Sequence, residues 1–185
     1  MSTRSIIGWA KTVDGKPDFE GRYHHSDGYP SGVGATLFAL YNGHFKRDIH
    51  AMKKFLFEEH RAGFSSIVDA DLSLPCRWVG NAGHRISLAN NKLNYLDGQH
   101  PSCFCHGDRH EPAMLMTMAS IPDTDTEWAY VFTEGPTLVI YDVVGKYEAQ
   151  TLHKVTEVYL NGVEPDWAAF EKLVEEQYEE SLKIV

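Results

Sequence analysis

The sequence has 185 residues and a mass of 20.9 kDa, a length that predicts a single globular domain over residues 1–185. Its 17 basic and 26 acidic residues give a net charge of −9, which argues against direct nucleic-acid binding by counterion release. No apolar run approaches the ~20 residues that cross a bilayer, so no membrane partner is expected. Three cysteines and the lack of a secretory signal favour a soluble cytoplasmic protein.

The first predicted element is a β-hairpin. A β-prone stretch over residues 6–9 runs to Asp14 and Gly15, a dipeptide typical of two-residue hairpin turns, and residues 19–25 resume an extended pattern. The glycine-rich segment 26–34 follows, and its composition predicts a tight loop that leads into a helix.

Helical periodicity follows this loop and gives way to strands later in the chain. Apolar spacings of three and four predict two helices, or one bent helix, over residues 33–61. Residues 62–122 show no dominant period. Residues 128–132 and 137–144, separated by turn-forming residues, predict a second hairpin, and residues 152–160 predict another strand.

The carboxyl-terminal segment predicts an amphipathic helix. Pro165 and its acidic neighbours are typical of a first helical turn. One apolar stripe follows, formed by Trp167, Phe170, Val174, Tyr178 and Leu182. Together the elements predict an α+β fold with a mainly antiparallel sheet covered by helices.

Polar side chains gather in the loop after the first hairpin. His24, His25, Asp27 and Tyr29 precede glycines at a predicted helix start, where an anion could meet backbone N–H groups beside a general acid or base. Because adjacent strand residues face opposite ways, only one of the two histidines is expected to face such a pocket. The alternative is that Asp27 only caps a turn and the glycines serve backbone geometry.

A second polar loop contains Cys103, Cys105 and His106, which are suitable zinc ligands. Their Cys-x-Cys spacing is shorter than that of ordinary zinc sites, and no second Cys-x-x-Cys pair exists. We therefore predict no metal, or zinc well below one ion per chain, and no cofactor.

The same loop continues into Asp108 and Arg109. Arg109 could donate hydrogen bonds to a phosphate or carboxylate, with Asp108 as a base. The alternative is that Asp108 and Arg109 form an ion pair that holds a surface loop. Elsewhere, Cys76 is expected to pack in the core, and His60 is one of several irregularly spaced histidines in the predicted helices.

Five short motifs resemble a group of uncharacterised proteins common in bacteriophages and bacterial genomes. The motifs are TRSxIG at residues 3–8, HSDGYP at 25–30, AGFSSI at 62–67, DRHE at 108–111 and EWAYV at 127–131. The group has HWDGYP and DRGE where this chain has Ser26 and His110. The resemblance implies a phage-type accessory protein, located in the cytoplasm of the host bacterium if phage-encoded, and implies no reaction.

Two functions are compatible with these patterns. The first is a small polar pocket that binds or hydrolyses a phosphate-bearing, nucleotide-like small molecule. Its catalytic residues would be His25, Asp27 and Asp108, and its ligand-binding residues Arg4, His24, Tyr29 and Arg109. The alternative is an inhibitor that blocks a host enzyme or defence protein through acidic residues, since residues 157–185 hold eight acids and two bases.

Overall fold

A computed structural model describes residues 3–76, 100–106, 111–145 and 149–182. Its strands are β1 (Ser5–Val13), β2 (Lys16–His24), β3 (Phe64–Ser66), β4 (Ser102–Cys103), β5 (Trp128–Phe132), β6 (Thr137–Val144) and β7 (Thr151–Tyr159). Its α-helices are α1 (Ala35–Asn42), α2 (Ile49–Lys53) and α3 (Trp167–Leu182).

Both predicted hairpins are confirmed. β1 and β2 pair antiparallel over nine residues each, and their turn places Asp14 and Gly15 at positive φ, which suits these residue types. β5 and β6 form the second hairpin, and β7 continues it as the predicted third strand.

The seven strands form one sheet in the order β4-β3-β2-β1-β5-β6-β7. Within the described residues, four neighbouring pairs are antiparallel, whereas β1 with β5 and β2 with β3 are parallel. The predicted α+β class is therefore confirmed, with a mixed sheet rather than a purely antiparallel one. Both parallel partners, β3 and β5, reach the first hairpin only after a long stretch of intervening chain, and parallel pairing requires such a crossover.

Alternation along the strands divides the core into two layers. Ile7 and Tyr130 belong to the larger layer, which lies beneath α1, α2 and α3. Ile6 and Val131 belong to the smaller layer on the opposite face of the sheet. A 3-10 helix, Met118–Asp123, contributes Ile121 to this second layer.

The predicted helical segment is broken into two parts. A π-helical turn, Pro30–Gly34, leads into α1, and α2 continues as a second π-helical stretch, Lys54–Glu59. Asp48 starts α2 by accepting hydrogen bonds from two backbone N–H groups of its first turn.

The carboxyl-terminal helix packs mainly through its first half. Trp167 is 6% exposed and contacts Phe38 edge to face, whereas Tyr178 is 63% exposed. Leu182 ends α3, and its side chain lies outside the described part of the chain. Within the described residues, no helix is both long and apolar enough to cross a membrane.

Candidate metal centre

Four potential metal ligands converge beside the β3–β4 edge of the sheet. They are His60, Cys103, Cys105 and His106, and their ligand atoms all lie within 4.8 Å of one another. Cys103 Sγ lies 3.0 Å from His106 Nδ1, and Cys105 Sγ lies 4.0 Å from His60 Nδ1. We call these four residues the Cys2His2 cluster.

The turn after the second π-helical stretch places His60. The residue is 4% exposed, and its ring packs between Phe55 and Phe64, with ring centroids 4.5 and 5.1 Å away. Gly63 closes the turn at φ +82°, and its N–H donates to the His60 carbonyl. Aromatic packing therefore holds the His60 imidazole in position without a metal ion.

Strand pairing places the other three ligands. Cys103 is the residue of β4 that pairs with Phe64 of β3, and it is fully buried. The Phe104 N–H donates to the Gly63 carbonyl, which holds the following residues against the His60 turn. Cys105 is half-buried and His106 is exposed, so the cluster reaches the surface on one side.

The distances between the ligand atoms are close to those of a tetrahedral zinc site. Zinc–sulfur bonds of ~2.3 Å and zinc–nitrogen bonds of ~2.0–2.1 Å would put tetrahedral ligand atoms about 3.3–3.8 Å apart. The two contacts of 3.0 and 4.0 Å bracket that range. Small side-chain movements would therefore bring all four atoms into a zinc coordination shell.

A third cysteine adjoins the cluster. Interaction with Cys103 raises the pKa of the Cys76 thiol, and the same interaction lowers the pKa of Cys103. Hydrogen bonds from His60 and His106 lower the pKa of Cys103 further. The Cys103 sulfur is thus held in surroundings that favour thiolate, the form that binds zinc.

The structure separates the two predicted site histidines. His24 is fully buried, and its Nε2 accepts a hydrogen bond of 3.1 Å from the Ile67 N–H. Burial lowers the pKa of His24 to about 3, so its ring is neutral. His25 instead lies near Tyr23, whose hydroxyl is 2.9 Å from its Nδ1. The pattern matches the expected opposite orientation of adjacent strand residues.

Arg4 lies near the same tyrosine. Its Nη1 donates to Asp125 at 2.7 Å. Burial raises the pKa of Tyr23, and the Arg4 charge partly offsets this rise. We call Arg4, Tyr23, His25 and Asp125 the Arg4 cluster. Tyr23 packs against the smaller core layer, so this cluster belongs to the sheet face opposite α1.

Asp27 and Tyr29 lie elsewhere in the predicted loop. The Tyr29 hydroxyl donates to Asp27 over 3.5 Å, and the Tyr29 ring packs against the larger core layer. At the nearby helical turn, the Ser31 N–H donates to the Glu171 carboxylate of α3 at 2.7 Å. The Glu171 carboxylate therefore already accepts from one of the backbone N–H groups to which the anion-pocket hypothesis assigns the ligand.

Asp108 and Arg109 lie outside the described residues, so their proximity to Asp27 stays a prediction. Sequence reasoning missed His60 as a potential ligand because it lies 43 residues before Cys103, on a different element. The only sequence signal was one histidine at the end of the predicted helical segment.

The chain matches no family model, no curated protein and no solved structure.

Proposed function

We propose that this protein is a zinc-binding protein in which the Cys2His2 cluster holds one structural zinc ion. The observation that supports the proposal is the convergence of two thiols and two imidazoles within 4.8 Å. Thiolate and imidazole are the ligands that zinc prefers, and two of each complete a tetrahedron. The proposal departs from our sequence-based expectation because His60 supplies a ligand that the Cys-x-Cys spacing could not reveal.

A structural role fits the ligand count and the ligand positions. Four protein ligands leave no open position for substrate, which is the pattern of structural zinc sites. Zinc would join the end of the second π-helical stretch, at His60, to the segment after β4, at Cys105 and His106. β4 has only two residues, so its pairing with β3 alone gives this edge of the sheet little stability.

The proposal is tested by metal analysis of the purified chain. We expect about one zinc ion per chain, and Co²⁺ substitution should give the charge-transfer absorption of cobalt–thiolate bonds. Cys105→Ser and His60→Ala should each lose most of the zinc, because three ligands bind it more weakly than four. Both variants alter groups that no other proposed site uses.

His50→Gln is the matched control, since His50 is exposed on α2 and lies outside the cluster. It should retain zinc as the unmodified chain does. Zinc far below one ion per chain after purification in zinc-supplemented medium would contradict the proposal. Equal zinc content in Cys105→Ser and the unmodified chain would also contradict it.

The Arg4 cluster supports a second candidate function, the binding or hydrolysis of a phosphate-bearing small molecule. The Arg4 guanidinium has five N–H donors, and its contact with Asp125 leaves some of them for an anion. The Arg4 side chain is 35% exposed. His25, which contacts the Tyr23 hydroxyl of the same cluster, is a potential proton carrier.

This second function is tested by titrating the chain with inorganic phosphate and with a nucleoside triphosphate in a calorimeter. We expect binding that Arg4→Gln weakens by about tenfold or more, because a charged donor is lost. Arg47→Gln is the control, since Arg47 is exposed and its side chain donates a hydrogen bond to Asn42, away from the Arg4 cluster. Equal affinities in the two variants would exclude Arg4 as the anion-binding group.

A further inference from the structure

β7 forms one edge of the sheet and is long enough to pair with another strand. It has nine residues, and within the described residues β6 is its only strand neighbour. The strand at the other edge, β4, has two residues. A long edge strand presents a row of backbone N–H and C=O groups to which a further strand can bind.

Two residues in the second half of β7 direct their backbone away from β6. The Leu160 N–H donates to the Pro136 carbonyl at 2.8 Å, directly beyond the register pair Thr137–Tyr159. Along an antiparallel pair, residues that hydrogen-bond the neighbouring strand alternate with residues that do not. The N–H groups of Glu157 and Tyr159 therefore point outward.

The first half of β7 has the same arrangement. The Val143 N–H donates to the Glu127 carbonyl, so the backbone of Val143 faces the side of β5. Leu152 is the register partner of Val143, and its N–H group therefore points away from β6. By the same alternation the N–H group of Lys154 also points outward.

These outward groups are arranged symmetrically about the middle of the strand. Val155 is an extra residue in the register with β6, a β-bulge, so Lys154 and Glu157 on its two sides are three positions apart instead of two. A second copy that lies antiparallel along β7, related by a two-fold axis, can place its Glu157 opposite Lys154. Its Tyr159 then lies opposite Leu152, and each pair forms twice.

The side chains of the four residues are complementary in this register. Lys154 and Glu157 are about half exposed, and their charged groups lie 2.6 Å apart within one chain, so both side chains are on the same face of the sheet. Leu152 packs against the smaller core layer, and Tyr159 is 57% exposed. Opposite charges, and apolar side chains, that face each other across antiparallel strands stabilise the pairing.

We propose that two copies of this chain associate by antiparallel pairing of their β7 strands about a two-fold axis. The two sheets then join into one, with two Lys154–Glu157 pairs between the copies at its centre and a Leu152–Tyr159 pair on each side. The proposal does not depend on the zinc site, which lies at the opposite end of the sheet. Because one strand pair buries a small area, we expect a reversible dimer.

Charge reversal at the centre of this interface tests the proposal. Sedimentation velocity of the reduced, zinc-supplemented chain at increasing concentration should show a mass that rises from 20.9 kDa towards twice that value. Lys154→Glu should weaken the dimer by about tenfold or more, because it puts like charges opposite each other twice. Lys172→Glu is the matched control and should dimerise as the unmodified chain does. Lys172 is an exposed, ion-paired lysine of α3, and its reversal changes the net charge by the same amount.

The reciprocal exchange separates the interface from an effect on folding. Lys154→Glu combined with Glu157→Lys restores opposite charges in every pair, so the double variant should dimerise about as strongly as the unmodified chain. Hydrogen exchange of the unmodified chain should slow at the amides of Lys154 and Glu157 as its concentration rises.

Three results would overturn the proposal. The first is a chain that stays monomeric up to about 0.5 mM, a concentration at which small interfaces form measurable complexes. The second is a dimer that Lys154→Glu leaves intact or that the double variant fails to restore. The third is a dimer whose formation leaves the exchange of β7 amides unchanged, because the copies would then meet at another surface.

Discussion

His24 shows how one residue type can be structural where the sequence suggests function. Its Nε2 accepts the Ile67 N–H, so the ring proton lies on Nδ1. Nδ1 is buried and has no partner within the described part of the chain. A charged imidazole would therefore be strongly disfavoured in this position, and burial lowers the pKa of His24 to about 3.

The lowered pKa of His24 predicts how stability depends on pH. The unfolded chain takes up a proton near pH ~6.5 and the folded chain does not, so the contribution of His24 is present above that pH and is lost as pH falls towards 3. Between about pH 7 and about pH 5 the free energy of unfolding should fall by about 2 kcal/mol from this group.

Urea denaturation of the zinc-loaded chain and of His24→Gln at both pH values measures this contribution. The glutamine oxygen can accept the Ile67 N–H but does not titrate, so the variant should lose less stability on acidification. All other groups are the same in the two proteins, so their contributions cancel in the comparison. Identical pH dependence in the two proteins would show that His24 is not held neutral by the fold.

Gly63 is a second residue with a defined structural requirement. Its φ of +82° is a backbone conformation that other residues rarely adopt, and a Cβ would collide with the Tyr23 carbonyl oxygen. Gly63→Ala should therefore lower the free energy of unfolding by about 1–3 kcal/mol, as measured by urea denaturation. It should also weaken zinc binding, because this turn positions His60.

Gly135→Ala is the control for this prediction. Gly135 lies between β5 and β6, its φ is not positive, and a Cβ there would meet nothing within 4 Å. The free energy of unfolding of Gly135→Ala should differ from that of the unmodified chain by less than about 0.5 kcal/mol. Similar losses in the two variants would mean that Gly63 tolerates a side chain.

At the scale of elements, sequence patterns predicted the local structure and missed the long-range pairing. Asp14 and Gly15 specify a hairpin turn by their own backbone preferences, and the two flanking strands follow. The parallel pairing of β1 with β5 depends on contacts between residues more than 100 positions apart. No local pattern encodes such a partner, so the mixed sheet could not be predicted.

The same distinction applies to the candidate sites. The sequence brought attention to Cys103, Cys105 and His106 because they are neighbours in the chain. His60 joins them only because β3 pairs with β4 and the Gly63 turn folds back, both of which are tertiary features. The interpretation of the first loop overlooked Glu171, which reaches the Ser31 N–H from α3.

At the scale of the molecule, the Cys2His2 cluster lies at one end of the sheet. β3 and β4 are short and form this end, whereas β5, β6 and β7 form the other. β5 has five buried residues and pairs on both sides, so its stability does not depend on the cluster. Zinc should accordingly stabilise one end of the sheet more than the other.

Hydrogen exchange with and without a zinc chelator tests this expectation for the whole chain. Chelation should speed amide exchange in residues 54–66 and 102–106, because the zinc joins these two segments. Exchange in β5 and β6 should change little, since those strands keep their core contacts and their hydrogen bonds. In Cys105→Ser, residues 54–66 and 102–106 should exchange fast before chelator is added, and chelator should cause no further change. Uniform acceleration over the sheet would instead mean that zinc is needed for the fold as a whole, and no change anywhere would remove its structural role.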